Sequence, residues 1–252
     1  MGAAMLPEDG ELQLGSVWLP AGRRFTPYEH DAPVAWVTRG AVPDAGLVWS
    51  ALADLHGESG LVPVVLNDDE DDLEDLFVEP GDVAELDPLD PVELLATRWE
   101  GELDSDGASP FPGLAPPADG GLSSAARTAA LRSVQPATIG LIPAARPADV
   151  LPAVGWTCFD DPAYEDGIRN AVWIGAILRS WEDRFGARLL AVGPGAEIRL
   201  LVQRPPRTMD AAEKIAAEHA AFCTECGGKG LRTVREIAPA LVEAPVWTFW
   251  WD

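Results

Sequence analysis

Residues 174–192 read IGAILRSWEDRFGARLLAV, and this stretch decides the fold. Ile174, Ile177, Leu178, Trp181 and Phe185 fall at i, i+3, i+4, i+7 and i+11, one apolar stripe of an amphipathic helix. Gly186 stops that helix, since glycine enters left-handed backbone without a Cβ clash. Arg188 to Val192 then reads as a strand, and Glu197 to Gln203 as its hairpin partner around the Gly193-Pro194-Gly195 turn. Helix, glycine, strand is the grammar of a sheet flanked by helices.

The same grammar occurs earlier. Leu47, Val48, Ala51, Leu52 and Leu55 keep helical spacing up to Gly57, and Leu61 to Leu66 reads as a buried strand. Pro63 there predicts an edge position or an early bend. Val34 to Thr38 and Thr138 to Ile142 read as strands, and Asp149 to Val154 as a short helix ending at Gly155. Pro91 to Trp99 reads as a helix with proline in its first turn and Val92, Leu95 and Trp99 on one face. Asp210 and Glu213 resemble a capping box for a helix running to about Phe222. Val246 to Trp251 is apolar at both parities, which predicts a strand buried between layers. The fold class expected is α+β (mixed α/β), as two small α/β units with mixed sheets flanked by helices. The boundaries expected are 1–106 for an acidic unit, 107–126 for a Gly/Pro/Ser-rich linker and 127–252 for a C-terminal domain.

Charge is divided unevenly. The chain of 252 residues has a formal charge of −23. Residues 67–106 hold 17 acids and one base, Arg98, whereas 1–66 sum to −5 and 107–252 to −2. Such a balance argues against phosphate-backbone binding and against docking on anionic membranes. No apolar run approaches the ~20 residues of a membrane span. The first residues lack the order of a signal peptide, and three cysteines, an odd number, fit a reducing compartment, so a cytoplasmic location is expected. Phosphate-loop, HExxH and GxSxG signatures are absent from the sequence.

Four groups of residues carry possible chemistry. Asp68, Asp69, Glu70, Asp71 and Asp72 form the densest acidic run, and together with the rest of 67–106 they suit a basic protein partner, in the manner of an immunity or antitoxin-like factor. Without the glycine and spacing of an EF-hand loop, a solvated face is the bland reading. His219, Cys223 and Cys226, followed by Gly227-Gly228-Lys229-Gly230, match a zinc knuckle, with Cys158 the natural fourth ligand and Asp160 or Glu225 as alternatives. Against zinc stands a core stripe of Ala212, Ile215, His219 and Phe222. Glu182, Asp183 and His219 are the acid/base candidates of an enzyme whose cleft lies between the two units. Ion pairing is the structural alternative, with Arg179 and Asp183 at i, i+4 and Arg184 pinning a chain end or a neighbouring acid. Finally, Trp181, Trp247 and Trp251, of ten tryptophans, suit either a ligand groove or a core.

The last third also resembles a known family. Residues 178–188 (LRSWEDRFGAR), 205–208 (PPRT), 218–223 (EHAAFC) and 247–252 (WTFWWD), in that order, are similar to a bacterial family of domains of unknown function, best known from actinobacteria. Gly140 to Pro143, Arg146 to Asp149 and Gly155-Trp156 fit its opening, so the resemblance covers about 138–252. It implies a C-terminal fold unit and no particular reaction. One departure stands out: the Phe-Cys pair, usually followed by Pro-Asp, here precedes Thr224-Glu225-Cys226.

Overall fold

The computed structural model describes residues 5–27, 31–67, 82–99, 103–104, 107–156, 167–193, 197–223 and 233–251. Among these the strands are β1 (Gly10–Leu14), β2 (Val17–Phe25), β3 (Ala35–Thr38), β4 (Leu61–Leu66), β5 (Leu103–Asp104), β6 (Gly107–Ala108), β7 (Thr138–Pro143), β8 (Arg188–Gly193), β9 (Glu197–Leu201) and β10 (Val246–Phe249). The helices are α1 (Ala45–Asp54), α2 (His56–Ser59), α3 (Pro91–Arg98), α4 (Ser124–Arg132), α5 (Val150–Val154), α6 (Gly167–Phe185), α7 (Met209–Phe222) and α8 (Val234–Leu241).

Eight strands form one mixed sheet in the order β1-β2-β3-β7-β4-β8-β9-β10, while β5 and β6 pair apart. All sheet neighbours are antiparallel except β4 and β8. The class is therefore α+β. The boundary expected at 107–126 does not coincide with a boundary in the sheet: β7, which follows it, lies between β3 and β4, which precede it.

Side-chain alternation along the strands builds two cores. Val62, Val64 and Leu66 of β4 face one core, and Leu61 and Val65 the other. The first core lies under α3, α5, α6, α7 and α8, the second under α1 and α4. Helices thus cover both faces of the central strands, which is why β4 and β8 are buried almost throughout.

Four local expectations are corrected. Pro63 sits in a central strand and not at an edge. Pairing to β8 begins only at Val65↔Ala191, so no ladder donor is required of Pro63 on that flank, and its carbonyl accepts from Trp49 Nε1 at 2.8 Å. Val92 is exposed; Leu95 alone of its trio is fully buried. Helix α7 is capped by Thr208, whose Oγ1 accepts from Ala211 N at 3.3 Å, and not by Asp210 with Glu213. The capping box occurs one helix later, where Glu236 Oε2 accepts from Thr233 N at 2.9 Å. Strand β10 pairs only with β9 and forms an edge of the sheet, with Trp247 and Phe249 inward and Thr248 outward. Strands β1, β2, β5 and β6 and helices α4 and α8 have no counterpart among the expected elements.

The remaining expected elements, among the described residues, form as read. Gly186 takes φ +61 directly after α6, and its N–H bonds to Glu182 O at 2.9 Å. Gly155 takes φ +68 at the end of α5.

Trp251 closes the core beyond β10, its ring 5.7 Å from Trp156 and 5.5 Å from Phe222. Trp251→Ala is expected to lower unfolding stability by about 3–5 kcal/mol, the range for truncating a buried aromatic. Trp18→Ala, at a site 66% exposed, serves as the reference and should stay within about 0.5 kcal/mol of the parent. Urea denaturation of both variants checks the assignment; equal losses would contradict it.

Candidate functional site

Helices α6 and α7 meet over a single buried ion pair. Trp181 and Arg184 lie one turn apart on α6, and Glu218 and His219 are consecutive on α7. Arg184 is 11% exposed at its side chain and Glu218 not at all. A buried pair is tolerable only if every polar atom finds a partner. Here each does. Glu218 Oε1 accepts from Arg184 Nη1 at 2.8 Å and from Ala115 N at 2.7 Å. Oε2 accepts from Arg184 Nη2 at 2.7 Å and from Trp181 Nε1 at 2.8 Å. The remaining Arg184 donors reach Ala115 O at 2.9 Å and Ser180 Oγ at 3.0–3.1 Å.

His219 shares Trp181 with Glu218 but lies among aromatic rings. Its centroid lies 5.2 Å from Trp181, 4.7 Å from Trp247 and 4.7 Å from Phe249. Nε2 has no hydrogen-bond partner, nor do the buried indole nitrogens of Trp156, Trp247 and Trp251. Burial alone pushes the imidazole pKa down from 6.5 to about 3, so it is neutral at ordinary pH. Trp181, Trp247 and Trp251 are 0–3% exposed and belong to the core, not to an open groove.

A second polar network lies along another side of α6. Arg146 holds Glu182 at 3.3 Å and Asp183 at 2.6 Å. Arg179 holds Asp87 at 2.8 Å and Asp149 at 2.5 Å, so the expected Arg179–Asp183 pair is replaced by two partners from other segments. Burial raises the Glu182 carboxyl above its usual range, partly opposed by Arg146. The hydrogen bond to Asp149 raises the Arg179 guanidinium. Of the acid/base candidates, the structure brings Glu182 and Asp183 together on Arg146 and places His219 apart, against the aromatic rings.

Cys223 ends α7, fully buried, with its sulfur 3.1 Å from Trp250 O. It is disulfide-bonded. Cys158 and Cys226 lie outside the described residues, as do Asp68 to Asp72. Among the described residues no group of three or more His, Cys, Asp or Glu is placed to hold a metal ion. No helix among them is long and apolar enough to cross a membrane.

The described part of the acidic stretch 67–106 is 67, 82–99 and 103–104. Asp82, Glu85, Asp87, Asp90 and Glu93 are exposed, while Leu86 and Leu95 anchor the segment in the core. Asp82 and Asp90 accept from Ala84 N and Val92 N at the starts of their helices, both at 2.8 Å. Arg98 is turned inward, its guanidinium 5.0 Å from the Trp173 ring and its Nε donating to Ala221 O at 3.3 Å.

Ala115 escaped the reading of the sequence, and Glu218 entered it only as the first residue of the EHAAFC motif, with no role of its own. One acid among 41 carries no mark, and only its place between Asp210 and His219 on an otherwise Ala-rich helix hints at burial.

A family model described as Domain of unknown function (DUF4253) matches residues 138–252. The match spans the residues that carried the expected resemblance, from β7 to the end of the chain. No curated protein and no solved structure matches the chain.

The neutral His219 makes stability acid-sensitive. Its folded pKa lies below the unfolded value, so the stabilisation is full above about pH 6.5 and is lost as pH falls toward 3. The loss approaches about 1.4 kcal/mol per pH unit. His219→Phe should remove the part of this decline lying between pH 6.5 and 5, before most carboxylates titrate. Urea midpoints of parent and variant at several pH values test it; parallel curves would refute the assignment.

Proposed function

We propose that this chain, with its DUF4253 domain, is a protein-interaction module whose acidic face captures a basic protein, as an immunity or antitoxin-like factor does. The observation that carries the reading is the fixed outward presentation of Asp82, Glu85, Asp87, Asp90 and Glu93 above Leu86 and Leu95. A mobile acidic tail would spread its charge. A segment pinned by buried leucines holds it in one place, where it focuses a field and speeds encounter with an opposite charge. The only base within 67–106, Arg98, donates its Nε to Ala221 O, and of the five described acids of this face Arg179 pairs with Asp87. Asp68, Asp69, Glu70, Asp71 and Asp72 extend the same stretch in sequence.

The test compares two variants of equal net charge. One carries Asp68→Asn, Asp69→Asn, Asp71→Asn, Asp72→Asn, Glu85→Gln and Glu93→Gln. The other neutralises six exposed acids elsewhere: Glu11, Asp31, Asp44, Glu58, Asp119 and Asp210. The probe is a synthetic arginine-rich peptide, titrated at low and physiological salt. The first variant should lose at least tenfold in affinity and much of its salt dependence, the second little of either. Equal losses would mean that net charge, and not a face, governs binding.

A further inference from the structure

The segment from Ser109 to Ala118 forms no helix or strand, yet it is held at specific points. Trp99 Nε1 donates to Ser109 O at 2.8 Å, and the Trp99 ring meets Phe111 edge-on at 6.0 Å. Leu114 and Ala118 pack against the core. Ala115 between them is 1% exposed, while Pro112, Pro116 and Pro117 face outward. The grip on Ala115 is made through its main chain at both ends: its N–H goes to Glu218 and its C=O to Arg184. Both gripping side chains belong to the domain at 138–252, and the gripped residue lies outside it.

Two-point capture of one residue's N–H and C=O by side chains is the chemistry of peptide recognition. Main-chain bonds supply affinity, and a small buried pocket supplies selection. Neighbouring prolines restrict the free segment and lower the entropy lost on docking. A buried ion pair adds little net stability, so two apolar residues would serve α6 and α7 at least as well if holding the helices together were its only use.

We propose that the face of α6 and α7 around Arg184 and Glu218, walled by Trp99, is a peptide-docking groove that residues 109–118 fill in cis. Its ligand in trans is a segment of another protein chain with the same chemistry: a large apolar residue, then alanine or glycine, then proline. The groove reads the small residue by size and by its N–H and C=O. The groove uses the Trp99 ring that follows α3 and none of the carboxylates of the acidic face, so the proposal stands independently of the acidic-face reading.

The probe is a labelled synthetic peptide of residues 109–118, SPFPGLAPPA, followed by fluorescence anisotropy. The protein is the full chain with residues 110–117 replaced by glycine and serine at equal length. The parent chain, whose own segment is held at an effective concentration on the order of millimolar, is the reference. Binding to the replaced chain should be saturable and at least tenfold tighter than to the parent. Peptides carrying Ala115→Leu, which overfills the pocket, or Ala115→Pro, which lacks the N–H, should lose at least tenfold. A second chain, Phe111→Ser with Leu114→Ser, loosens the segment by its apolar anchors alone and keeps the test available if full replacement prevents folding. Absence of binding to a cooperatively melting variant, or equal binding of all three peptides, would overturn the proposal.

Discussion

Taking an arginine and a glutamate out of water demands that every donor and acceptor be matched, because one missing partner leaves a charge uncompensated in a low-dielectric interior. Arg184 and Glu218 meet that demand by drawing partners from three places: the indole of Trp181, the hydroxyl of Ser180 and the main chain of Ala115. The requirement reaches far along the chain. Ala115 is 103 residues from Glu218, so the polar core is complete only when the central segment has returned to α6 and α7. The ion pair therefore couples the packing of two helices to the course of a stretch with no regular structure of its own. Further on, Leu122 N reaches Gln203 O at 2.6 Å and Arg207 reaches Gly121 O at 2.8 Å, which continues the attachment up to the cap of α4.

Much of the fold is legible in local pattern, because pattern and burial agree wherever one face of an element meets one core. The stripe from Ile174 to Phe185 and the run from Leu61 to Leu66 are of this kind. Failures occur where a tertiary partner decides. Pro63 reads as an edge residue because a central strand needs its N–H groups, but the staggered start of β8 removes the need. Gly, Pro and Ser between 104 and 124 read as a linker, since composition records backbone freedom and not what the backbone touches. Val246 to Trp251 reads as doubly buried, yet Thr248 is exposed and the inward residues face only one layer. Asp210 and Glu213 have the spacing of a cap, but Thr208 two residues earlier takes the position. The boundary read between halves fails to divide the sheet for a related reason: strand order is a long-range property, and no local signal tells β7 to insert between β3 and β4.

The candidate site shows the same division more sharply. Glu182, Asp183 and His219 attract notice because ionisable residues in a conspicuous motif invite chemistry. Two are satisfied by Arg146, and the third is an uncharged ring among rings. Glu218, adjacent to His219, is given no role of its own, although it is a fully buried charge. Adjacent helical positions are about 100° apart, so neighbours in sequence can face entirely different environments. Charge segregation was legible because it is additive over a segment. Placement of one carboxylate was not, because it depends on which way one side of α7 is turned.

The tryptophans show what the C-terminal core was built to optimise. Away from the core cluster, indole N–H groups find acceptors, Trp36 on Glu8 O, Trp49 on Pro63 O and Trp99 on Ser109 O, and within it Trp181 donates to Glu218. Inside it, those of Trp156, Trp247 and Trp251 find none, and His219 Nε2 joins them. Each orphan costs roughly 1–3 kcal/mol, so the cluster forgoes several kcal/mol of polar satisfaction. Burial of each large ring more than offsets this, since 150–250 Å² of surface at about 25 cal/mol per Å² gives roughly 4–6 kcal/mol before entropy is counted. Edge-on contacts among Trp181, His219, Phe222, Trp247 and Phe249, 4.7–5.6 Å between centroids, add to it. Packing outranks hydrogen bonding here, and a histidine is tolerated because it behaves as one more ring. The contrast with Glu218, one residue away and satisfied in full, follows from charge. A neutral N–H can be left without a partner at modest cost, whereas a carboxylate cannot, so the polar groups around Glu218 are directed to the charge that requires them.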